Sequence, residues 1–113
     1  MSPVKPIRVE IAPGELIDKI TILIIKRERI DDPDKLVNVQ TEIEVLESAR
    51  DSALDRSPAL DQLTAELKSI NEQLWKIEDA IRICERENDF GPRFIELARS
   101  VYQTNDRRAD VKR

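Results

Sequence analysis

The chain has no histidine, two glycines, one cysteine and few aromatic residues, 4% of its 113 positions. Each shortage removes a chemistry. Without histidine there is no Ser-His-Asp or Cys-His nucleophile of the ordinary kind, no histidine zinc site and no Glu-x-x-His di-iron pair. Gly14 and Gly91 stand far apart, so neither a P-loop nor a dinucleotide-binding glycine turn can be built from them. Cys84 has no intrachain disulfide partner, which points to a reducing, cytoplasmic setting. The longest purely apolar run, Ile22 to Ile25, falls far short of the ~20 residues that span a bilayer. Residues 1–13 hold three prolines and no apolar run, so no secretory leader is expected there. No membrane contact, metal or cofactor is expected.

Charge, by contrast, is plentiful: 37% of residues, with a net charge of −4. That balance argues against general nucleic-acid affinity. Its distribution is uneven. Residues 33–89 hold 7 Lys/Arg against 14 Asp/Glu, and residues 90–113 hold 6 against 3. The C-terminal segment is therefore locally basic, in keeping with cations at the end of a helix. Nucleic-acid binding would want a longer basic stripe with aromatic residues beside it, and only Tyr102 is near.

Proline divides the chain. Asp32-Pro33 and Ser57-Pro58 each read as an N-cap followed by proline at the first helical position, and Gly91-Pro92 fits more loosely. One helical domain is expected over 1–113, with an extended arm at 1–12 and helices at 14–31, 33–55, 58–88 and 92–111. In the arm, Ile7-Arg8-Val9-Glu10-Ile11 alternates apolar and polar residues, the period of a half-buried strand. It either packs as an extended arm or pairs with the same arm of a second copy. Helix 1 is rich in β-branched residues, yet Leu16, Ile20, Leu23 and Arg27 follow a helical stripe. Its apolar residues nearly encircle it, so burial on several sides is expected.

Helix 3 carries the strongest pattern. Leu60, Leu63, Leu67, Ile70, Leu74, Ile77, Ile81 and Cys84 recur at alternating spacings of 3 and 4, a coiled-coil seam. Helix 2 repeats the spacing through Leu36, Val39, Ile43, Leu46, Arg50 and Ala53. Folding at residues 55–58 would oppose Ile43 to Ile70 and Leu46 to Leu67, as in an antiparallel hairpin. The fold expected is thus all-α: an antiparallel helical bundle built on a long coiled-coil hairpin of helices 2 and 3, with helices 1 and 4 packed against it. Helix 3 is expected at the centre, with Trp75 and Ile83 facing helix 4.

Polar residues on helices 1, 3 and 4 could then meet away from water, as an anion- or metal-binding pocket or as a structural ion-pair network. A magnesium pyrophosphatase pattern is excluded by order, since no Glu-x-x-Asp follows Glu44-x-x-Glu47.

Three stretches carry a resemblance: Pro13-Gly14-Glu15-Leu16-Ile17-Asp18-Lys19-Ile20-Thr21-Ile22-Leu23, Leu74-Trp75-Lys76-Ile77-Glu78-Asp79, and Phe94 to Tyr102 followed by Thr104-Asn105-Asp106-Arg107-Arg108-Ala109. Together they are similar to a family of small uncharacterised bacterial proteins, a domain of unknown function, over almost the whole chain. The resemblance implies no catalytic residue. Related domains stand beside glycosyltransferase or helical-repeat regions, which implies an accessory place in cell-surface carbohydrate metabolism. Similar chains run on past a Lys-Arg ending like Lys112-Arg113, so a longer C-terminus is expected in relatives. The shared motifs fall on helices 1, 3 and 4, and a ligand or partner patch is expected where Asp18, Lys19, Trp75, Asp79, Arg99, Asn105 and Arg107 converge. Asp79 would anchor it, Lys19 and Arg99 would serve as cationic partners or anion ligands, and Asn105 and Arg107 would form the rim.

The function expected from all this is a non-enzymatic helical interaction module that forms a homodimer or binds a protein partner. The alternative is a binding module, or a histidine-free enzyme, for a small anionic metabolite such as a phosphorylated or nucleotide sugar.

Overall fold

A computed structural model describes residues 5–113. The first four residues of the expected arm lie outside the described residues. Four helices follow the arm: α1 (Pro13–Arg29), α2 (Pro33–Ala53), α3 (Pro58–Arg86) and α4 (Pro92–Lys112). Each opens on proline, whose missing N–H falls where a helix leaves its donors unpaired. The Asp32 side chain accepts from the Asp34 N–H at 3.0 Å, and Ser57 Oγ accepts from the Leu60 N–H at 3.1 Å. Both are the N-caps that the Asp-Pro and Ser-Pro pairs announce.

α3 ends before residue 88 for a local reason. Asn88 adopts φ 54°, the left-handed conformation. The Asp89 N–H then reaches back to the Cys84 carbonyl at 2.9 Å and the Asn88 N–H to that of Glu85 at 3.2 Å. This pair closes the last carbonyls of the helix, with asparagine standing where glycine is commonest.

The chain forms a helical bundle, as expected, but its pairings are distributed differently. α1, rather than α3, packs against all three other helices, and α3 packs along α4. No Cα of α2 comes within 8 Å of one in α3. Both seams turn to α1 instead. On α2, Gln40 accepts from Arg27 at 3.0 Å, which aims the adjoining Val39 and Ile43 at α1. On α3, Asn71 bonds Asp18 and Thr21 of α1, and Leu67 and Leu74 lie on the same face one turn away. The physical reason lies in α1. Leu16, Ile17, Ile20, Leu23 and Ile25 are buried around its circumference, so it offers apolar surface to several neighbours at once. The connector contributes too: Leu54 and Ser57 are both extended, which keeps α3 from folding tightly back along α2.

The result is two antiparallel hairpins, α1–α2 and α3–α4, joined through α1. The second hairpin covers Cys84, which is fully buried near its closed end. There Phe90 meets Phe94 edge to face, with ring centroids 5.3 Å apart. Trp75 turns out to sit beneath Arg29 of α1, whose guanidinium carbon is 5.9 Å from the ring centroid. No helix among the described residues is long and apolar enough to cross a membrane.

Candidate functional site

Asp18 lies in the middle of the apolar run of α1 and is 2% exposed. A carboxylate there must find partners or lose its charge. It finds them on α3 and α4. Arg108 of α4 approaches as a fork, Nε donating to Oδ1 at 2.9 Å and Nη2 to Oδ2 at 2.6 Å. Asn71 of α3 donates to Oδ1 at 2.9 Å. Lys112 Nζ stands 3.8 Å from Oδ2 and 3.0 Å from Glu15. Around this centre, Asn71 also donates to Thr21 Oγ1, which in turn donates to the Asp18 carbonyl at 2.8 Å. Asn105 accepts from Arg108 at 3.2 Å and steadies the guanidinium from outside. Three helices meet on one carboxylate.

Burial alone would raise the Asp18 pKa. The hydrogen bonds from Arg108 and Asn71, with the positive charges of Arg108 and Lys112, outweigh it and hold the carboxyl below its ordinary 3.8. Arg108 is raised in return, chiefly by its hydrogen bonds to Asp18. No sealed side-chain nitrogen or oxygen among the described residues lacks a hydrogen-bond partner. A closed charge pair of this kind organises the bundle, and it offers no spare proton or nucleophile for a reaction.

The expected patch is only partly assembled. Asp18 and Asn105 share the network through Arg108. Arg107 is exposed and donates to Gln73 across the α3–α4 hairpin. Asp79 is exposed and pairs with Arg82 one turn along α3 at 3.0 Å, so it takes no part in the Asp18 network. Lys19 points into a cleft between α1 and α2, and Arg99 lies on the outer face of α4 beside Ile95 and Ser100. These two do not meet each other or Asp18, because their helical positions place them off the faces that pack.

Asn71, Thr21 and Lys112 belong to the network and were not legible as site residues. A signal for Arg108 exists, however. Leu97, Val101, Thr104, Arg108 and Val111 recur at spacings of 4, 3, 4 and 3, so periodicity puts Arg108, not Arg107, on the packed face of α4.

Beside the network, α1, α3 and α4 border an open cleft of about 240 Å³, with Trp75 and Asn71 on one wall and Lys26 on the other. The fold and this centre define a helical bundle whose α1 is clamped to its neighbours by one buried aspartate. The chain belongs to a family of unknown function, DUF6165, whose family model matches residues 7–113. No curated protein and no solved structure matches it.

Proposed function

We propose that this protein is a non-enzymatic self-association module whose N-terminal arm pairs with the same arm of a second copy. One observation carries the reading. The arm is bare: Ile7 is 88% exposed and Val9 73%, and residues 5–11 belong to no helix or strand and make no backbone hydrogen bond among the described residues. Apolar side chains alternating on one face, over unpaired backbone groups, form an edge that a strand can complete.

The arm is also complementary to itself. In an antiparallel pair centred on Val9, Ile7 stands opposite the partner's Ile11 and Arg8 opposite the partner's Glu10. β-branched pairs then fill one face and opposite charges the other, each worth about 0.2–1 kcal/mol. A two-fold axis through Val9 repeats every contact, the signature of an isologous dimer. Because a lone two-stranded ribbon is marginal in water, its apolar face has to lie on the bundle. The cleft of about 420 Å³ between α1 and α2, lined by Ile22, Leu23, Val45 and Leu46, offers such a surface.

Sedimentation equilibrium between about 1 and 100 µM tests the reading. The mass should rise from 13.1 kDa toward twice that value. A mass that stays at the monomer value over the whole range contradicts it.

A further inference from the structure

The cleft between α1, α3 and α4 holds polar groups that the Asp18 network does not use. Asn71 is 6% exposed, and both of its hydrogen bonds are made by the amide nitrogen. Its Oδ1 accepts no hydrogen bond among the described residues and is not sealed from the cleft. Seven residues along α3, Glu78 lines the same cleft, and side chains on a helix lean toward its N-terminus, here toward Asn71. Neither Glu78 nor Lys26, on the facing wall, has an ion-pair partner within 4.0 Å among the described residues. Trp75 lines the cleft as well, and its indole N–H donates to no hydrogen bond among the described residues. Between these groups the lining is apolar, through Ile22, Ile25 and Leu74.

The charges decide what fits. Arg108 borders the cleft, but Asp18 neutralises it at 2.6 Å. Among the described residues that line the cleft, that leaves one cation without an ion pair, Lys26, and one anion without one, Glu78. A doubly charged phosphate ester would meet that single cation and be repelled by Glu78. A molecule carrying one charge of each sign meets a counterpart for both. Its ammonium would donate to Glu78 and to Asn71 Oδ1, and its carboxylate would accept from Lys26 and the Trp75 N–H. The apolar walls leave room for an aliphatic side chain.

We infer that this cleft binds a small zwitterion with an apolar side chain, a compound of the α-amino-acid kind. The inference does not rest on self-association: Asn71, Trp75 and Glu78 line this cleft alone, although Ile22 and Lys26 also border the α1–α2 surface offered to the paired arms.

Trp75 is the single tryptophan, so its emission reports occupancy of the cleft directly. The 113-residue chain is titrated with L-leucine, with 4-methylpentanoate, which lacks the ammonium, with isoamylamine, which lacks the carboxylate, and with glucose 6-phosphate. Leucine should give a saturable change in emission, and the other three should bind at least about tenfold more weakly. Glu78→Gln, an exposed position, should weaken leucine about tenfold with an unchanged circular dichroism spectrum. The ligand comparison needs no variant, so it stands if a substitution impairs folding. No saturable change up to about 10 mM leucine overturns the inference. So does equal binding of the singly charged analogues, a preference for the phosphate ester, or an affinity indifferent to Glu78→Gln.

Discussion

Asp18 is kept ionised by its neighbours, and that makes it the residue whose loss is felt most widely. Replacing it by asparagine leaves Arg108 half-buried without its counter-charge. Breaking a buried pair from one side costs about 3–5 kcal/mol. Urea denaturation of Asp18→Asn should show a loss of that size, whereas Asp79→Asn should stay within about 0.5 kcal/mol because its ion pair is exposed. The sign of the pH dependence follows from the same geometry. The carboxyl titrates below 3.8 in the folded chain, so between its folded pKa and 3.8 the unfolded chain binds more protons and stability rises with pH. The Asp18 contribution is present above about pH 4 and is lost as pH falls through the folded value. The gap between wild type and Asp18→Asn should therefore narrow on acidification below pH 4 in denaturation measured at several pH values. Burial of Asp18 is legible in sequence, since Leu16, Ile17 and Ile20 surround it in an apolar run. Its partner is less so. Asn71 stands one step off the seam that runs through Ile70, and a 3–4 repeat does not register it.

At the scale of elements, the close approach of α1 and α4 rests on one glycine. A Cβ at Gly14 would lie 2.8 Å from the Lys112 carbonyl carbon and 2.9 Å from its Cα, backbone atoms that cannot swing aside. Alanine improves helix propensity by about 1 kcal/mol, but overpacking against backbone costs about 1–3 kcal/mol. Gly14→Ala should therefore be net destabilising in thermal denaturation, and a raised Tm would contradict the contact. The α1–α3 seam predicts a contrast of its own. Leu67 is fully buried, so Leu67→Ala should cost about 2–5 kcal/mol, whereas the exposed Val37→Ala on α2 should be nearly neutral. Helix starts were readable because proline and its caps act locally. Helix partners were not. The seams of α2 and α3 match in spacing, yet spacing states only that a face is apolar, not which neighbour covers it. α1, apolar on several sides, competes for both seams and takes them.

Over the described residues, burial is concentrated on α1 and the facing stripe of α3, while α2 and α4 each have a single buried residue, Ile43 and Thr104. The outer surface therefore keeps apolar residues in water, and among the described large ones Ile7 and Val9 of the arm are the most exposed. The alternation in the arm is plain in sequence, but whether it packs on its own chain depends on tertiary contacts that alternation does not encode. The structure leaves residues 5–11 exposed, and the proposed pairing with a second copy rests on that exposure. Reversing Arg8 to glutamate places two like charges opposite each other at both ends of the paired arms. Reversing Glu10 to arginine as well restores every pair with its signs exchanged. The decisive measurement is the dissociation constant of the dimer by sedimentation for wild type, Arg8→Glu, and the double variant Arg8→Glu with Glu10→Arg. The account predicts weakening by about tenfold in the single variant and recovery in the double. Equal constants in all three, or a double variant weaker than the single, would contradict the paired arm.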